Sequence, residues 1–392
     1  MAEMNDYSGP FNPDLTFEDF SKEFLLKLIT VWQFAWIRMA GAWHDLVTEK
    51  CGFEIANECN EEVWERVARQ VNPRYATIAR IELRTVMDSL KCLQLPLDNN
   101  IGPLYPVEYE IRSPNHVILT IVQCRSLIYY EREAPQMIEP ICQRFEKTGI
   151  EYYLLNPKIE VTPLKLPPRS SQEDIACQWE MKLGEECSLP QCIAGDEETK
   201  QNERRPTMAE MNDYSGPFNP DLTFEDFSKE FLLKLMTVWQ FAWVRMAGAW
   251  YDLVKEKCGF EIANQCNLEA WERVAKQVNP RYAKIANIEL NTVLDSLKCL
   301  QLPLDNNIGP LYPVEYEIIN PNHVIMTITQ CRSLVYYERE APEMIVPVCH
   351  DLEEATIKHY LLNPKIEVTA LKLPPRDNRE EIACKWEFKI QE

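Results

Sequence analysis

The stretch VEYEIRSPNHVILTIVQC, residues 107–124, is where the chain changes period. Its ends, 107–112 and 117–124, are rich in strand-forming residues. Ser113-Pro114-Asn115-His116 between them supplies turn chemistry, so the stretch reads as a β-hairpin. Upstream the pattern is helical. Thr16, with Asp19 three residues on, approximates a capping box, and a helix is expected from Phe17 to about Lys50, where Cys51-Gly52 stops it. Leu25, Trp32, Trp36, Met39 and Trp43 fall on one stripe of it. A second helix is expected from Asn60 to Val71 and a third from Asn72-Pro73 to Leu95, ahead of Pro96; the first 15 residues read as an extended arm. Downstream, 135–153 reads as a helix that Pro140 kinks or delays, and 158–166 and 174–183 read as strands joined through Pro167-Pro168-Arg169. In the last strand Ile175, Cys177, Trp179 and Met181 alternate with other residues and belong on the buried face. The fold class is α+β: a helical N-terminal half followed by a β-β-α-β-β antiparallel sheet layer.

The hairpin returns at 314–331 as VEYEIINPNHVIMTITQC, and so does everything around it. Residues 1–183 match 208–390 without a gap, with 147 of 183 positions identical. The chain is therefore a tandem duplication. The first copy is 1–183, with a helical region at 1–96 and an α+β region at 97–183. The second is 208–390, with a helical region at 208–303 and an α+β region at 304–390. Residues 184–207 are polar and turn-rich and read as a flexible linker. As a coil they span about 25–30 Å, enough for the two copies to pair as a pseudo-dimer.

A net charge of −20 argues against nucleic acid and acidic membrane surfaces as partners. No run approaches the ~18 apolar residues of a membrane helix, and the acidic start MAEMNDYSG is unlike a secretory signal. The expectation is a soluble, cytoplasmic protein with reduced thiols. Its fourteen cysteines include no CxxC pair, and with 11 glycines it holds no phosphate-cradling loop.

The segments PNHVILTIVQC (114–124), NPKIEVTPLKLPPR (156–169) and DIACQWEMKL (174–183) resemble an uncharacterised bacterial and archaeal family of single-copy proteins. That family is similar in turn to the aminothiazoline-carboxylate hydrolase-like proteins and, more loosely, to vinyl-reductase-type ligand-binding domains. The resemblance implies an α+β domain with a small-molecule pocket and recurrent cysteines at Cys124, Cys142 and Cys177. The duplication departs from it.

On the residues themselves, Cys142 lies on the apolar face of the covering helix, Cys177 on the sheet face beneath it, and Cys124 at a strand end. Together with Cys331, Cys349 and Cys384 they form one candidate thiol cluster per copy. With His116 or His323 as fourth ligand, each would suit zinc or another thiophilic ion. The plain alternative is that free cysteine acts as a small buried hydrophobe. Glu139-x-x-Cys142 imitates the carboxylate-cysteine spacing of the vinyl-reductase-type metal sites, although Val346 replaces the glutamate in copy two. A His116–Cys124 dyad is opposed by geometry, because eight strand residues span roughly 26 Å. His44 is Tyr251 in copy two, which weakens it as a shared base. Arg125 and Tyr129 (Arg332 and Tyr336) could receive a ligand carboxylate, with Trp36 and Trp179 (Trp243 and Trp386) as aromatic walls. Differences between copies cluster at 143–152, QRFEKTGIEY against HDLEEATIKH, so that helix end faces solvent or tunes two unlike sites. The expected function is binding of a small apolar, aromatic or carboxylate-bearing molecule. The alternative is a thiol- or zinc-assisted hydrolase acting on a small cyclic or thio compound.

Overall fold

A computed structural model describes residues 3–98, 106–184, 210–305 and 313–391. The linker at 184–207 therefore lies outside the described residues except for Gly184. The chain forms two compact units, Met1–Val67 with Met236–Glu392, and Ala68–Leu235. These do not coincide with the two copies: each unit draws residues from both.

In the unit Ala68–Leu235 the strands are β1 (Val107–Ser113), β2 (His116–Ile121), β3 (Ile159–Lys165) and β4 (Cys177–Leu183). They form one antiparallel sheet in the order β1-β2-β4-β3, with Leu119 opposite Trp179 and Ile121 opposite Cys177. Cys177, Trp179 and Met181 all lie on the buried face, as their alternation predicts. They pack with Leu90 and Leu93 of α3 (Val86–Gln94) and Ile150 and Leu154 of α5 (Glu146–Leu154).

Two helical expectations need correction. Gly52, at φ 99°, turns the chain at once, so α2 runs Phe53–Ala79 and follows α1 (Lys22–Cys51) directly instead of starting at Asn60. Pro73 sits inside α2 without ending it. The break comes later, at Arg80 and Leu83, both at positive φ (55° and 54°). Leucine is rare in that conformation; here the Leu83 carbonyl accepts the Asn156 side-chain amide at 3.2 Å. Farther on, α4 (Arg125–Glu133) is a helix that the sequence reading does not include, and Ile138–Phe145 is a π-helix. The wider π turn carries the chain past Pro140, whose ring would clash with an α-helical carbonyl four residues back.

The unit Met1–Val67 with Met236–Glu392 repeats this plan with α7 (Phe260–Ile285), α8 (Val293–Gln301), α9 (Arg332–Glu340) and α10 (Glu353–Leu361). Its sheet has the order β5-β6-β8-β7, from Val314–Asn320, His323–Ile328, Ile366–Lys372 and Cys384–Ile390. Here α1 of the first copy packs on α7 of the second. Equivalent tryptophans of α1 and α6 (Lys229–Cys258) meet: Trp36 lies 6.3 Å from Trp243, and Trp43 stacks on Trp250 at 6.0 Å. The tryptophan stripe of α1 is thus core.

The N-terminal arms are docked. Tyr7 donates to Gln301 Oε1 at 2.8 Å, Lys298 donates to the Gly9 carbonyl at 2.7 Å, and Phe11 meets Tyr316 edge-on at 5.0 Å. In the other unit Tyr214 donates to Gln94 Oε1 at 2.8 Å, Lys91 to the Gly216 carbonyl at 2.6 Å, and Phe218 meets Tyr109 at 5.0 Å. Each arm binds the opposite copy, at the helix before its sheet and at its first strand. No helix among the described residues is long and apolar enough to cross a membrane.

Candidate functional site

The three predicted cysteines share one core. Cys124 and Cys142 pack against the hydrophobic cluster that contains Cys177 and Trp179. Each of two sulfurs already has local work. Cys124 Sγ caps α4 by accepting the Leu127 N–H at 3.4 Å, and Cys177 Sγ accepts the Trp179 indole N–H at 3.2 Å. Cys331 and Cys384 do the same, at 3.3 Å each. Cys142 lies in the π-helix.

Burial pushes the Cys124 and Cys331 thiols up to about 11 and Cys384 to about 12, with Cys142, Cys177 and Cys349 likewise shifted upward. Thiols held protonated at neutral pH are poor nucleophiles. Among the described residues no three His, Cys, Asp or Glu side chains converge to hold a metal ion. His116 is far from the cluster. It pairs with Lys182 at the opposite end of β2 from Ile121 and Cys177, and its Nε2 meets Glu180 at 2.9 Å; His323 meets Glu387 at 2.8 Å. The zinc reading with His116 or His323 is therefore corrected.

Arg125 and Tyr129 stand on the exposed face of α4, as Arg332 and Tyr336 do on α9, so a pocket carboxylate clamp there is corrected too. The buried guanidinium is Arg169, held by Glu131 through two bonds of 2.8 Å. Arg376 and Glu338 repeat the pair at 2.7 and 3.0 Å. Glu139 is exposed, as is its counterpart Val346. His44 bonds Asn57 at 3.0 Å, and Tyr251 reaches the equivalent Asn264 at 2.7 Å, which explains how two unlike residues fill one role.

The polar centre of each domain is a pair of carboxyls. Beside the cysteines, burial and then the neighbouring Asp98 push Glu146 up to about 7. In copy two, burial and then Asp305 push Glu353 up to about 7, and burial pushes Asp305 to about 6. Tyr153 donates to Asp98 Oδ2 at 2.8 Å, and Tyr360 to Asp305 Oδ2 at 2.8 Å. Tyr75 and Tyr282 complete the ring, and burial holds all four phenols well above their usual range. Protein surrounds Glu353, yet its surface remains open to water, which tempers the effect of burial there. Neither Glu353 nor Asp305 forms an ion pair with a described residue.

In the unit containing copy two's sheet, a cavity of about 10 Å³ adjoins this centre. That is room for roughly one water-sized group. Trp243, Trp271, Tyr282, Tyr360 and Asp305 are among its walls, and among the described residues no Lys, Arg or His lines it. The same five residue types stand at Trp36, Trp64, Tyr75, Tyr153 and Asp98 of copy one.

Of the predicted set, then, the structure brings together Cys124, Cys142, Cys177 and Trp179, with Cys331, Cys349, Cys384 and Trp386 alongside their own sheet, and Trp243 at the cavity. The carboxyls and tyrosines escaped the sequence reading. One signal was available: in the divergent stretch 143–152 only Glu146 and Ile150 are kept, as Glu353 and Ile357.

Residues 18–183 and 225–390 each match a family model described as a family of unknown function, DUF6125. The matches cover most of the chain, which therefore belongs to that family as a tandem duplication. No curated protein and no solved structure matches it.

Proposed function

We propose that this member of a family of unknown function binds a small molecule through a protonated amine. The supporting observation is the cavity walled by Trp243, Trp271, Tyr282, Tyr360 and Asp305. Aromatic faces attract cations, tryptophan most strongly, and a carboxylate completes the match to an ammonium. The cavity has the volume of such a head group and not of a whole ligand, so the remainder would project away from it. A second carboxyl, Glu353, interacts with Asp305 and adds negative charge nearby. An anionic head group would meet two carboxyls and no basic side chain, so entry of a ligand by a carboxylate end is disfavoured. The resemblance to aminothiazoline-carboxylate hydrolase-like proteins is consistent with this reading, because a 2-aminothiazoline ring is itself a protonatable base.

A matched pair of probes tests it: n-butylamine and n-butanoate, followed by tryptophan fluorescence at pH 8. Butylamine is expected to give a saturable change that Asp305→Asn weakens at least tenfold, on the scale of about 1.4 kcal/mol. Equal response to butanoate, or no effect of the substitution, would sink the proposal.

A second reading is supported by Glu146 and Glu353. A carboxyl near 7 is poised to exchange protons at neutral pH, as general acid–base catalysis requires. The hydrolase alternative then runs on a carboxyl and not on a thiol. Hydrolysis of 2-aminothiazoline-4-carboxylate that survives Cys142→Ala and is lost in Glu146→Gln/Glu353→Gln would favour it.

A further inference from the structure

Four cysteines from the two copies gather where α1 and α6 end. Cys51 and Cys258 are the last residues of those helices, each followed by a glycine at positive φ. The Cys51 and Cys258 thiols are neighbours that interact directly, with Cys59 and Cys266 close by. Cys51 and Cys258 keep part of their surface open to solvent, whereas Cys59 and Cys266 are buried.

Contacts that involve no sulfur hold the helix ends in place. Lys50 Nζ lies 2.8 Å from Glu269, and Lys257 Nζ lies 2.8 Å from Glu62 and 3.2 Å from Glu58. Two turns back, Trp43 and Trp250 stack with rings 10° from parallel. The two accessible thiols are thus presented to each other by packing and ion pairs. The same cysteines do not form a metal centre, since no three ligands converge among the described residues.

We propose that Cys51 and Cys258 are a reversible dithiol–disulfide site that joins the two copies and exchanges with low-molecular-weight disulfides. In the first step the Cys51 thiolate attacks one sulfur of the small disulfide, whose S–S bond breaks to release one thiolate. The product is a mixed disulfide on Cys51. The Cys258 sulfur then loses its proton to solvent and attacks Cys51 Sγ, expelling the second small thiolate. Two cysteine thiols are oxidised by two electrons and one small disulfide is reduced to two thiols, so the exchange balances. Burial and the neighbouring Cys51 push the Cys258 thiol upward, and once Cys51 carries the small thiol the Cys258 sulfur lies beside it to resolve the mixed disulfide. Disulfides of this kind in reducing compartments are transient and redox-sensing, not structural.

The test uses the full folded chain and glutathione disulfide. After equilibration with graded ratios of oxidised to reduced glutathione, the sample is acid-trapped, alkylated and analysed by intact mass and peptide mapping. The expected product carries no glutathione, has lost two alkylatable thiols, and yields one linked peptide pair containing Cys51 and Cys258. Cys258→Ser is expected to stop at glutathione bound to Cys51. Glutathione retained on wild-type Cys51 without a cross-link would overturn the proposal. So would a linked pair other than these two, or thiols that all remain alkylatable at the most oxidising ratio.

Discussion

Residues 143–152 and 350–359 are the same segment written twice, and they differ at eight of ten positions. The differences preserve contacts more than identities. Gln143 donates to the Pro167 carbonyl at 2.6 Å, and His350 reaches the Pro374 carbonyl at the same 2.6 Å. Phe145 with Gly149 becomes Leu352 with Thr356: the larger ring faces the smaller residue in one copy, and the reverse holds in the other. A Cβ on Gly149 would lie 3.4 Å from the Phe145 ring, while the Thr356 hydroxyl bonds the Leu352 carbonyl at 2.7 Å. Through all this Glu146 and Glu353 stay, with carboxyls raised alike to about 7. The comparison separates positions that need a volume or a hydrogen bond from one that needs a carboxyl.

The largest effect should come where the copies do not differ at all. The Arg169 and Arg376 side chains are enclosed and paired with Glu131 and Glu338, which stay partly open to water. Removing the arginine leaves a partly solvated carboxylate and an unfilled volume, a cost of about 2–3 kcal/mol, between that of an exposed pair and a fully buried one. Arg169→Ala and Arg376→Ala are therefore expected to destabilise the chain to a similar extent in denaturant melts. A cost under about 1 kcal/mol, the range of exposed pairs, would show that the pair is not enclosed, and such a cost in one variant alone would show that the two copies are not equivalent.

A smaller effect tests the compensated pair. Gly149→Thr in copy one brings a Cβ into contact with the Phe145 ring, and the γ atoms beyond it should cost about 1 kcal/mol by overpacking. Adding Phe145→Leu should recover most of it, because the double variant restores the Leu352–Thr356 combination. Additive losses in the double-mutant cycle would mean that the two positions drifted independently.

The same distinction explains what could be read from the chain. The antiparallel sheet was legible because Cys177, Trp179 and Met181 alternate at a period that only a half-buried strand explains. The convergence of Cys124, Cys142 and Cys177 followed from placing a helix over that sheet. Helix α4 was missed because RSLIYYERE has a single deeply buried residue, Leu127, to mark its inner face. The π-helix around Pro140 was missed because proline ordinarily signals a break, and local pattern does not distinguish a break from a widened turn. The arms on the opposite copy and the Asp98–Tyr153 and Asp305–Tyr360 contacts join residues 55 positions apart or more, beyond the reach of any local period. Function was the least legible: a carboxyl shifted by its surroundings has the same letter as a surface one.

Glu146 supplies the effect most specific to the site. Its folded-state value, about 7, lies above the ordinary 4.5. Below about 4.5 it is protonated in both folded and unfolded chains and costs nothing by ionisation. Between 4.5 and 7 the unfolded chain gives up the proton first, so folding stability falls as pH rises, and above 7 the loss is complete. Glu146→Gln removes that ionisation while keeping the shape. The variant should match wild type near pH 4.5 and exceed it by roughly 1–2 kcal/mol at pH 8, after allowance for partial contact with water. Glu353→Gln should show the same sign with a smaller gain, since water reaches that carboxyl more freely. Amine binding moves the comparison the other way: a bound ammonium favours the ionised carboxyl, so at pH 8 butylamine should narrow the gap between wild type and Glu353→Gln. A gap that is flat from pH 4.5 to 8 would mean that these carboxyls titrate as surface groups do. The glutamate kept in both copies would then mark packing and not chemistry.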